Sequence, residues 1–320
     1  MSPRKSQKPT RADLTRVKRY PYAQRKNKAV AGAVGRPMRR LRGADFFDSL
    51  PDFLKAADLR SFLEAVAKAR RADKPFHLML GAHPIKVGLS PILIDLMERG
   101  IITGLSLNGA GLIHDLELAF FGGTSEDVQA GLQDGSFGMV RETAELYAAV
   151  ADRAAASDGG LGQAAGEYIN ARRARHRKLS LFAAAHRLGL PATIHVGIGT
   201  DIVAQHPEFD GAAVGRASHQ DFRLLCDICR RLDRGGVVAN VGSAVILPEV
   251  FLKALTVARN LSKGKSRLTS ANFDMILQYR PLENVVARPT FKAGRGYNFV
   301  GHHEIMIPLV AWGLRLALGR

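Results

Sequence analysis

Residues 77–123, HLMLGAHPIKVGLSPILIDLMERGIITGLSLNGAGLIHDLELAFFGG, decide the fold of this chain. Two short apolar runs, His77–Leu80 and Ile102–Leu107, each end in a polar turn that contains glycine. Each turn leads into an amphipathic helical pattern, Pro91–Arg99 after the first and Ile113–Phe121 after the second. Strand, turn and helix in this order, twice in succession, predict a parallel sheet with helices packed on its faces.

The rest of the chain repeats this alternation. We predict further strands at Ala192–Val196, Val237–Val241 and Tyr297–Val300, helices within 124–178, at Asp221–Leu232, at Pro248–Asn260 and after residues 301–304, and a polar stretch from Ser270 to Arg288. The sequence therefore predicts an α/β fold with a doubly wound, mostly parallel sheet. Ligands of such sheets bind at the carboxyl ends of the strands, so the turns Gly81–Gly88 and Asn108–Asp115 are the first candidate sites.

Positive charge is concentrated at the amino end. The chain has 320 residues and a formal charge of +17, and residues 1–43 hold 14 of its 46 Lys and Arg residues with Asp13 as their one acid. We expect residues 1–43 to be a disordered basic tail and residues 44–320 to form a single α/β domain. The tail is interpreted either as a segment that binds RNA or another polyanion, or as a solvated extension. A transit peptide is a third interpretation, but the low serine content of the tail is evidence against it.

Apolar runs and cysteine content indicate the cellular compartment in which we expect the protein. No apolar run has the length of a membrane span, and no apolar signal-peptide core follows the basic start. Cys226 and Cys229 form one C-x-x-C pair within a helical pattern, which favours two small residues on a buried helix face. We therefore expect a cytoplasmic protein with no membrane partner. The basic run 172–178 is predicted to lie on a solvated helix face that can add to a polyanion surface.

Two small-residue turns are candidate nucleotide sites. Asn108-Gly109-Ala110-Gly111 and Gly242-Ser243-Ala244 each precede a helix, whose first N–H groups attract phosphate. A tight turn without a ligand explains either sequence equally well. Asp210 suits a ribose hydroxyl or a simple turn acid. Neighbouring side chains in His302-His303-Glu304 point in different directions, so no metal site is predicted there.

Taken in order, these motifs resemble those of the deoxyhypusine synthase family. The resemblance covers residues 41–315 and rests on Leu41–Phe46, Leu80-Gly81, Asn108–Gly111 with Asp115, Asp210-Gly211, the Gly242 turn, Thr269, Arg280-Pro281 with Glu283, and Ile305–Leu309. It implies a Rossmann-like, NAD-binding fold and a homotetramer built as a dimer of dimers. It also implies an aminoalkyl transferase, which oxidises spermidine with NAD and passes the aminobutyl group through a lysine imine to an acceptor amine.

The resemblance further implies residue roles. Those that flank NAD would be Asn108, Gly109, Ala110, Gly111, Asp210, Gly242, Ser243 and Thr269. Glu283 would match a carboxylate that binds the polyamine.

The chain departs from the family pattern at the reactive positions. The segment 283–290, ENVVARPT, has no lysine, and Pro289 or Thr290 stands where the family has its nucleophile. Ile113 and His114 stand where the family has two glutamates. We therefore expect an altered small-molecule substrate, an amine or an anion, and no lysine-imine step.

Three hypotheses follow. The first is a divergent NAD-dependent enzyme, with His114, Glu283 and His302 as acid or base groups and His83 as a further candidate. The second is a non-catalytic scaffold or RNA-associated protein that uses residues 1–43. The third keeps polyamine chemistry with a different nucleophile or with direct transfer to a free amine.

Overall fold

Six parallel strands form one sheet in the computed structural model, which describes residues 43–262 and 267–319. The strands are β1 (Phe76–Leu80), β2 (Gly104–Asn108), β3 (Ala192–His195), β4 (Val237–Val241), β5 (Thr269–Asp274) and β6 (Arg295–Val300). Their order across the sheet is β3-β2-β1-β4-β5-β6, and all five neighbouring pairs are parallel. This is the doubly wound Rossmann order, so the predicted fold class is confirmed and the sheet is fully parallel.

Helices connect the strands and cover both faces of the sheet. They are α1 (Gly43–Ser49), α2 (Leu54–Arg71), α3 (His83–Lys86), α4 (Ser90–Glu98), α5 (Gly109–Phe121), α6 (Val128–Asp134), α7 (Arg141–Ala156), α8 (Leu161–Ala171), α9 (Leu181–Leu188), α10 (Gly211–Leu232), α11 (Ile246–Asn260), α12 (Tyr279–Pro281), α13 (Arg288–Thr290) and α14 (His303–Leu318). Short 3₁₀ segments occur at Arg177–Leu179 and Ile202–Gln205, and a π-helical segment at Leu282–Ala287. The part of the chain described here contains no helix both long and apolar enough to cross a bilayer.

Four sequence predictions need correction or placement. β5 lies in the stretch predicted to be polar and irregular, because its polar residues hide the alternation of a strand. The loop predicted around 209–215 is helical from Gly211 onward. The basic run 172–178 follows the end of α8 as a turn and enters the 3₁₀ segment Arg177–Leu179, so it does not lie on an α-helix. The predicted basic tail lies outside the described residues up to residue 42, and α1 begins at Gly43.

The two faces of the sheet differ in chemistry. One face is apolar and packs in the main core, with Leu78, Leu105, Ile194, Ala239 and Phe273 among its members. The opposite face, under α10 and α11, carries buried polar side chains. Its polar members are His77, Ser106, Thr193, His195, Asn240, Ser270, Asn272 and Asp274. A central strip of Met79, Val238 and neighbouring residues of α10 and α11 supplies the apolar contact there.

Hydrogen bonds across strands link several of these polar groups. His77 Nε2 lies 2.8 Å from Ser106 Oγ, which lies 2.6 Å from Thr193 Oγ1. Asn240 donates to Asn272, and Asn272 donates to Asn298, each at 2.8 Å. Burial lowers the pKa of His77 to about 3, so this imidazole is neutral and serves the network as a hydrogen-bonding group.

Two buried carboxylates join helices to the rest of the domain. Asp115 accepts from Ser180 Oγ at 2.5 Å and from Leu181 N at 2.7 Å, at the start of α9. Asp221 accepts from Gly162 N at 3.0 Å and from Ile194 N at 2.8 Å, and so ties α10 to α8 and β3. Burial raises the pKa of Asp115 to about 6 and that of Asp221 to about 7. Asp115 therefore has a structural role.

The turns after β1 and β4 touch at the point where the strand order reverses. A Cβ added to Gly81 would lie 2.1 Å from the carbonyl oxygen of Gly242. We expect Gly81→Ala to lower the free energy of unfolding by about 3 kcal/mol, because two backbones must separate. Urea denaturation would measure this. Gly215→Ala, within α10, is the matched control, because a Cβ there would lie at an ordinary contact distance of 3.8 Å from Ile198 Cδ1 and we expect no loss. Equal stability of the two variants would contradict the prediction.

Candidate functional site

A cavity of about 460 Å³ lies beside α5, at the carboxyl side of β2. Its polar lining comes from several segments of the chain and includes Lys86, His114, Glu117, Thr124, Glu126 and Asp201. Apolar side chains such as Ile113 and Phe137 form much of the remaining wall. The volume lies within the range of small-molecule sites, which combine apolar walls with a few convergent polar groups.

His114 belongs to a chain of hydrogen bonds on one wall of the cavity. Its Nδ1 lies 2.6 Å from Thr124 Oγ1, and the Thr124 hydroxyl donates to Glu117. Thr143 Oγ1 donates to the other oxygen of Glu117 at 2.8 Å. Because the Thr124 hydroxyl has a single proton, it accepts from His114, and Nδ1 carries the ring proton. Nε2 of neutral His114 therefore keeps a lone pair that can accept a proton.

The charge state of His114 follows from its surroundings. Burial lowers the pKa of His114, and Lys86 lowers it further, while Glu117 raises it. The net direction is downward, so His114 is neutral at neutral pH. A neutral, oriented imidazole in a cavity is the arrangement of a general base.

The side chain of Asp201, from the loop after β3, packs against the first residue of α5. A Cβ added to Gly109 would lie 1.9 Å from Asp201 Oδ2, so only glycine permits this approach. The backbone N–H of Ala110 donates to the Asp201 carboxylate, and Asp201 Oδ2 is buried with no hydrogen-bond partner among the described residues. Burial raises the pKa of Asp201 to about 6, and the Ala110 hydrogen bond opposes this.

The start of α5 therefore fits a ligand hydroxyl better than a phosphate. Asn108 accepts from Gly111 N at 2.9 Å, and Asp201 already takes the N–H of Ala110. A pyrophosphate at this turn would meet a carboxylate of the same charge and few free donors. A ribose hydroxyl or an ammonium group can instead donate to the unpaired oxygen of Asp201 if the side chain turns toward the cavity.

The second small-residue turn, at Gly242, is covered by His303, which was not among the candidate site residues predicted from the sequence. Gly242 has φ +68°, and a Cβ there would lie 2.8 Å from His303 Cε1. His303 is buried, with Nε2 3.2 Å from the carbonyl oxygen of Phe273, and its ring lies 5.4 Å from that of His83. Ser243 Oγ accepts from Leu247 N at 3.2 Å, at the start of α11. This turn is therefore filled by protein groups.

Asp210 and Thr269 do not join the cavity. Asp210 accepts from Ala212 N at 2.8 Å and Ala213 N at 3.1 Å, so it caps α10 as a turn acid. Thr269 is the first residue of β5 and pairs with Val237, the first of β4. Thr269 therefore lies at the amino end of the sheet, a full strand length from the Gly242 turn. The sequence did not reveal this separation, because the strand order was not known from it.

Glu283 follows β5 and His302 follows β6, the two strands at the opposite end of the sheet from β2 and β3. Glu283 is in the π-helical segment after β5 and pairs with Arg288 at 3.4 Å. His302 precedes α14, is 66% exposed, and lies 3.7 Å from Glu304. The structure thus brings His114 and Ala110 to one cavity and leaves Glu283 and His302 outside its lining.

Several cavity residues were missed from the sequence. Lys86, Glu117, Thr124 and Asp201 come from separate loops and helices, and Glu117 looks like an ordinary charge on an amphipathic helix. Asp201 had a usable signal, because it follows β3 closely and polar residues after a parallel strand collect at the ligand-binding edge.

Comparison with known proteins shows similarity of fold. No family model and no curated protein matches the sequence. The structure is similar to AgrE, solved as a ternary complex with ornithine and NAD⁺, with TM-score 0.50 and 13% identity over 82% of this chain and 33% of that one. It is similar to a LOR/SDH protein from Methanococcus maripaludis, with TM-score 0.50 and 13% identity over 82% of this chain and 68% of that one.

A protein from Entamoeba histolytica described as a deoxyhypusine synthase matches with TM-score 0.49 and 11% identity, over 85% of this chain and 92% of that one. The chain spans about a third of the length of AgrE and of the arginine dihydrolase ArgZ, which it covers by 33% and 31%. At 13% identity, the likeness to AgrE and to the LOR/SDH protein supports a Rossmann-like α/β fold and nothing finer.

Proposed function

We propose that this protein is an NAD-linked enzyme that acts on an amine-bearing small molecule in the cavity beside α5, with His114 as the general base. The observation that carries the proposal is the chain His114–Thr124–Glu117. It fixes one imidazole tautomer, with Nε2 available, in a cavity of about 460 Å³. Because the family's lysine is lacking in 283–290, no covalent imine with the protein is part of this proposal.

The charges of the cavity favour an amine over an anion. Glu117, Glu126 and Asp201 supply three carboxylates against the one ammonium group of Lys86. A cationic ligand gains attraction from this surplus, whereas an anion is repelled by it. The sequence had left both substrate classes open, because Ile113 and His114 replace two acids of the related family. Glu117, one helical turn beyond Ile113, restores a carboxylate to the same wall.

The proposal that the protein binds NAD is supported by the fold and by Asp201. AgrE, which shares the fold, was solved with NAD⁺ and ornithine. When bound, NAD supplies a hydride acceptor. The buried Oδ2 of Asp201, packed against Gly109, can accept from a ribose hydroxyl once the side chain turns toward the cavity. In this arrangement Nε2 of His114 takes a proton from the substrate ammonium, and the resulting neutral amine assists loss of hydride from its neighbouring carbon.

Two measurements test the proposal. Calorimetric titration with NAD at pH 8 should show saturable binding by the folded protein. Spectrophotometry should then show NADH formation with diamines, spermidine or ornithine, and none with dicarboxylates of similar size. His302→Gln is the control variant, because its side chain is exposed and outside the cavity lining. Absence of NAD binding would favour the non-catalytic scaffold, and NADH formation only with anions would overturn the substrate class. The homo-oligomer stays a prediction.

A further inference from the structure

A turn rich in basic residues lies close to the carboxyl end of α5. We call residues 172–178 the basic turn. Five of its seven side chains are basic and exposed, namely Arg172, Arg173, Arg175, Arg177 and Lys178. Among the residues that the structure describes, none of these five has a carboxylate within 4 Å. Elsewhere on the surface basic side chains are commonly paired, as in Arg99–Asp95, Arg187–Glu98 and Arg230–Asp227.

The backbone of the basic turn is held in place. Ala174 is buried, and its N–H donates to the carbonyl oxygen of Ile169 at 3.2 Å. The N–H of His176 donates to the carbonyl oxygen of Ala119, in α5, at 2.8 Å. Arg173 has φ +50°, a left-handed conformation that shapes the turn. The five charges are therefore held on a fixed backbone, and no acid of the described residues lies close enough to relieve their mutual repulsion.

An exposed aromatic ring lies next to this turn in the fold. Phe121, the last residue of α5, is 51% exposed and forms part of the cavity rim. The following residue, Gly122, approaches the basic turn so closely that an added Cβ would lie 2.7 Å from His176 Nε2. Basic side chains that follow a backbone, with an aromatic ring on which a base can stack, are the two features of single-strand nucleic-acid sites.

We propose that the basic turn and Phe121 bind single-stranded nucleic acid, with phosphates on the five basic side chains and a base on the Phe121 ring. Arginine forks match phosphate oxygens in two-point contacts, and four of the five side chains are arginines. The aromatic ring favours a nucleic acid over an acidic protein surface. The site lies in the folded domain and is independent of residues 1–43. It extends beyond the proposed amine chemistry and does not require it.

The test measures affinity and its salt dependence with the full chain. A fluorescent 20-nucleotide single-stranded RNA is titrated at several salt concentrations. The variant changes Arg172, Arg173, Arg175, Arg177 and Lys178 to Gln. We expect the slope of log affinity against log salt to become less steep by about 3.5, because each phosphate contact on a single strand contributes ~0.7. A four-site variant that keeps Arg177, whose side chain donates to the carbonyl oxygen of Ala174 at 3.3 Å, guards against unfolding and should show about four-fifths of the change.

Controls separate a site from overall charge. A matched variant changes Lys55, Arg141, Arg153, Arg230 and Lys253 to Gln, and these five basic side chains are ion-paired. It removes the same formal charge and should leave the slope nearly unchanged. Phe121→Ala should weaken binding about tenfold with an unchanged slope, because stacking is not electrostatic. No RNA binding by the wild type, an unchanged slope in the basic-turn variants, or equal loss in the matched variant would each overturn the proposal. NAD and amine assays are read separately, so either proposal can fail alone.

Discussion

Replacing His114 by glutamine is expected to reduce turnover of the amine substrate by about 10²–10⁴-fold while NAD binding persists. Glutamine can keep a hydrogen bond to Thr124, which lies 2.6 Å from His114 Nδ1, but it provides no basic lone pair at the position of Nε2. The measurement is kcat from NADH formation. Glu117 and Thr143 remain bonded to each other, at 2.8 Å, so the wall of the cavity should keep its shape.

The pH dependence of the wild type gives an independent check on His114. Burial lowers its pKa from the usual value of 6.5, so the base is neutral and active above that lowered pKa. Turnover should therefore fall on acidification only below pH 6.5, and the His114→Gln variant should lack this limb. Thr124→Val removes the acceptor that fixes the tautomer, and we expect a smaller loss of turnover. A His114→Gln variant with wild-type kcat and an unchanged acid limb would remove His114 from the mechanism.

Replacing Asp221 by alanine is expected to lower the free energy of unfolding by about 3–5 kcal/mol. The lost carboxylate leaves the buried N–H groups of Gly162 and Ile194 without their acceptor, and it disconnects α10 from α8 and β3. Urea denaturation followed by circular dichroism would measure the change. Asp227→Ala is the matched control on α10, because Asp227 is a surface acid that pairs with Arg230 and Arg231, and we expect a loss of about 1 kcal/mol or less.

The pH dependence of stability has the opposite sign to that of an ordinary salt-bridged acid. Burial raises the pKa of folded Asp221 from 3.8 to about 7, so the folded state holds a proton that the unfolded state releases. The contribution of this group is full below pH 3.8 and is lost as pH rises toward about 7, at up to ~1.4 kcal/mol per pH unit. In the Asp221→Asn variant this slope should be reduced. A slope that Asp221→Asn leaves unchanged would assign it to Asp115 or Asp201 instead.

The sequence was sufficient for the elements that local patterns encode. Alternating apolar runs and amphipathic periods predicted the β1 to β4 strands, β6, and helices such as α5 and α11. Asn108 was placed correctly at a strand-to-helix turn, and it caps α5 by accepting from Gly111 N. β5 escaped because Ser270, Asn272 and Asp274 pack on a polar sheet face, which looks like a loop when read from composition.

Only the tertiary structure decided which groups meet. The strand order places Asp201, from the loop after β3, against Gly109 after β2, and it sends Thr269 to the opposite end of the sheet. Of two adjacent histidines, it buries His303 and exposes His302. Strands and helices follow from periodicity along the chain, and this protein's sequence determined them. A site depends on burial, on strand register and on contacts between distant segments, and these arise only when the sheet is assembled.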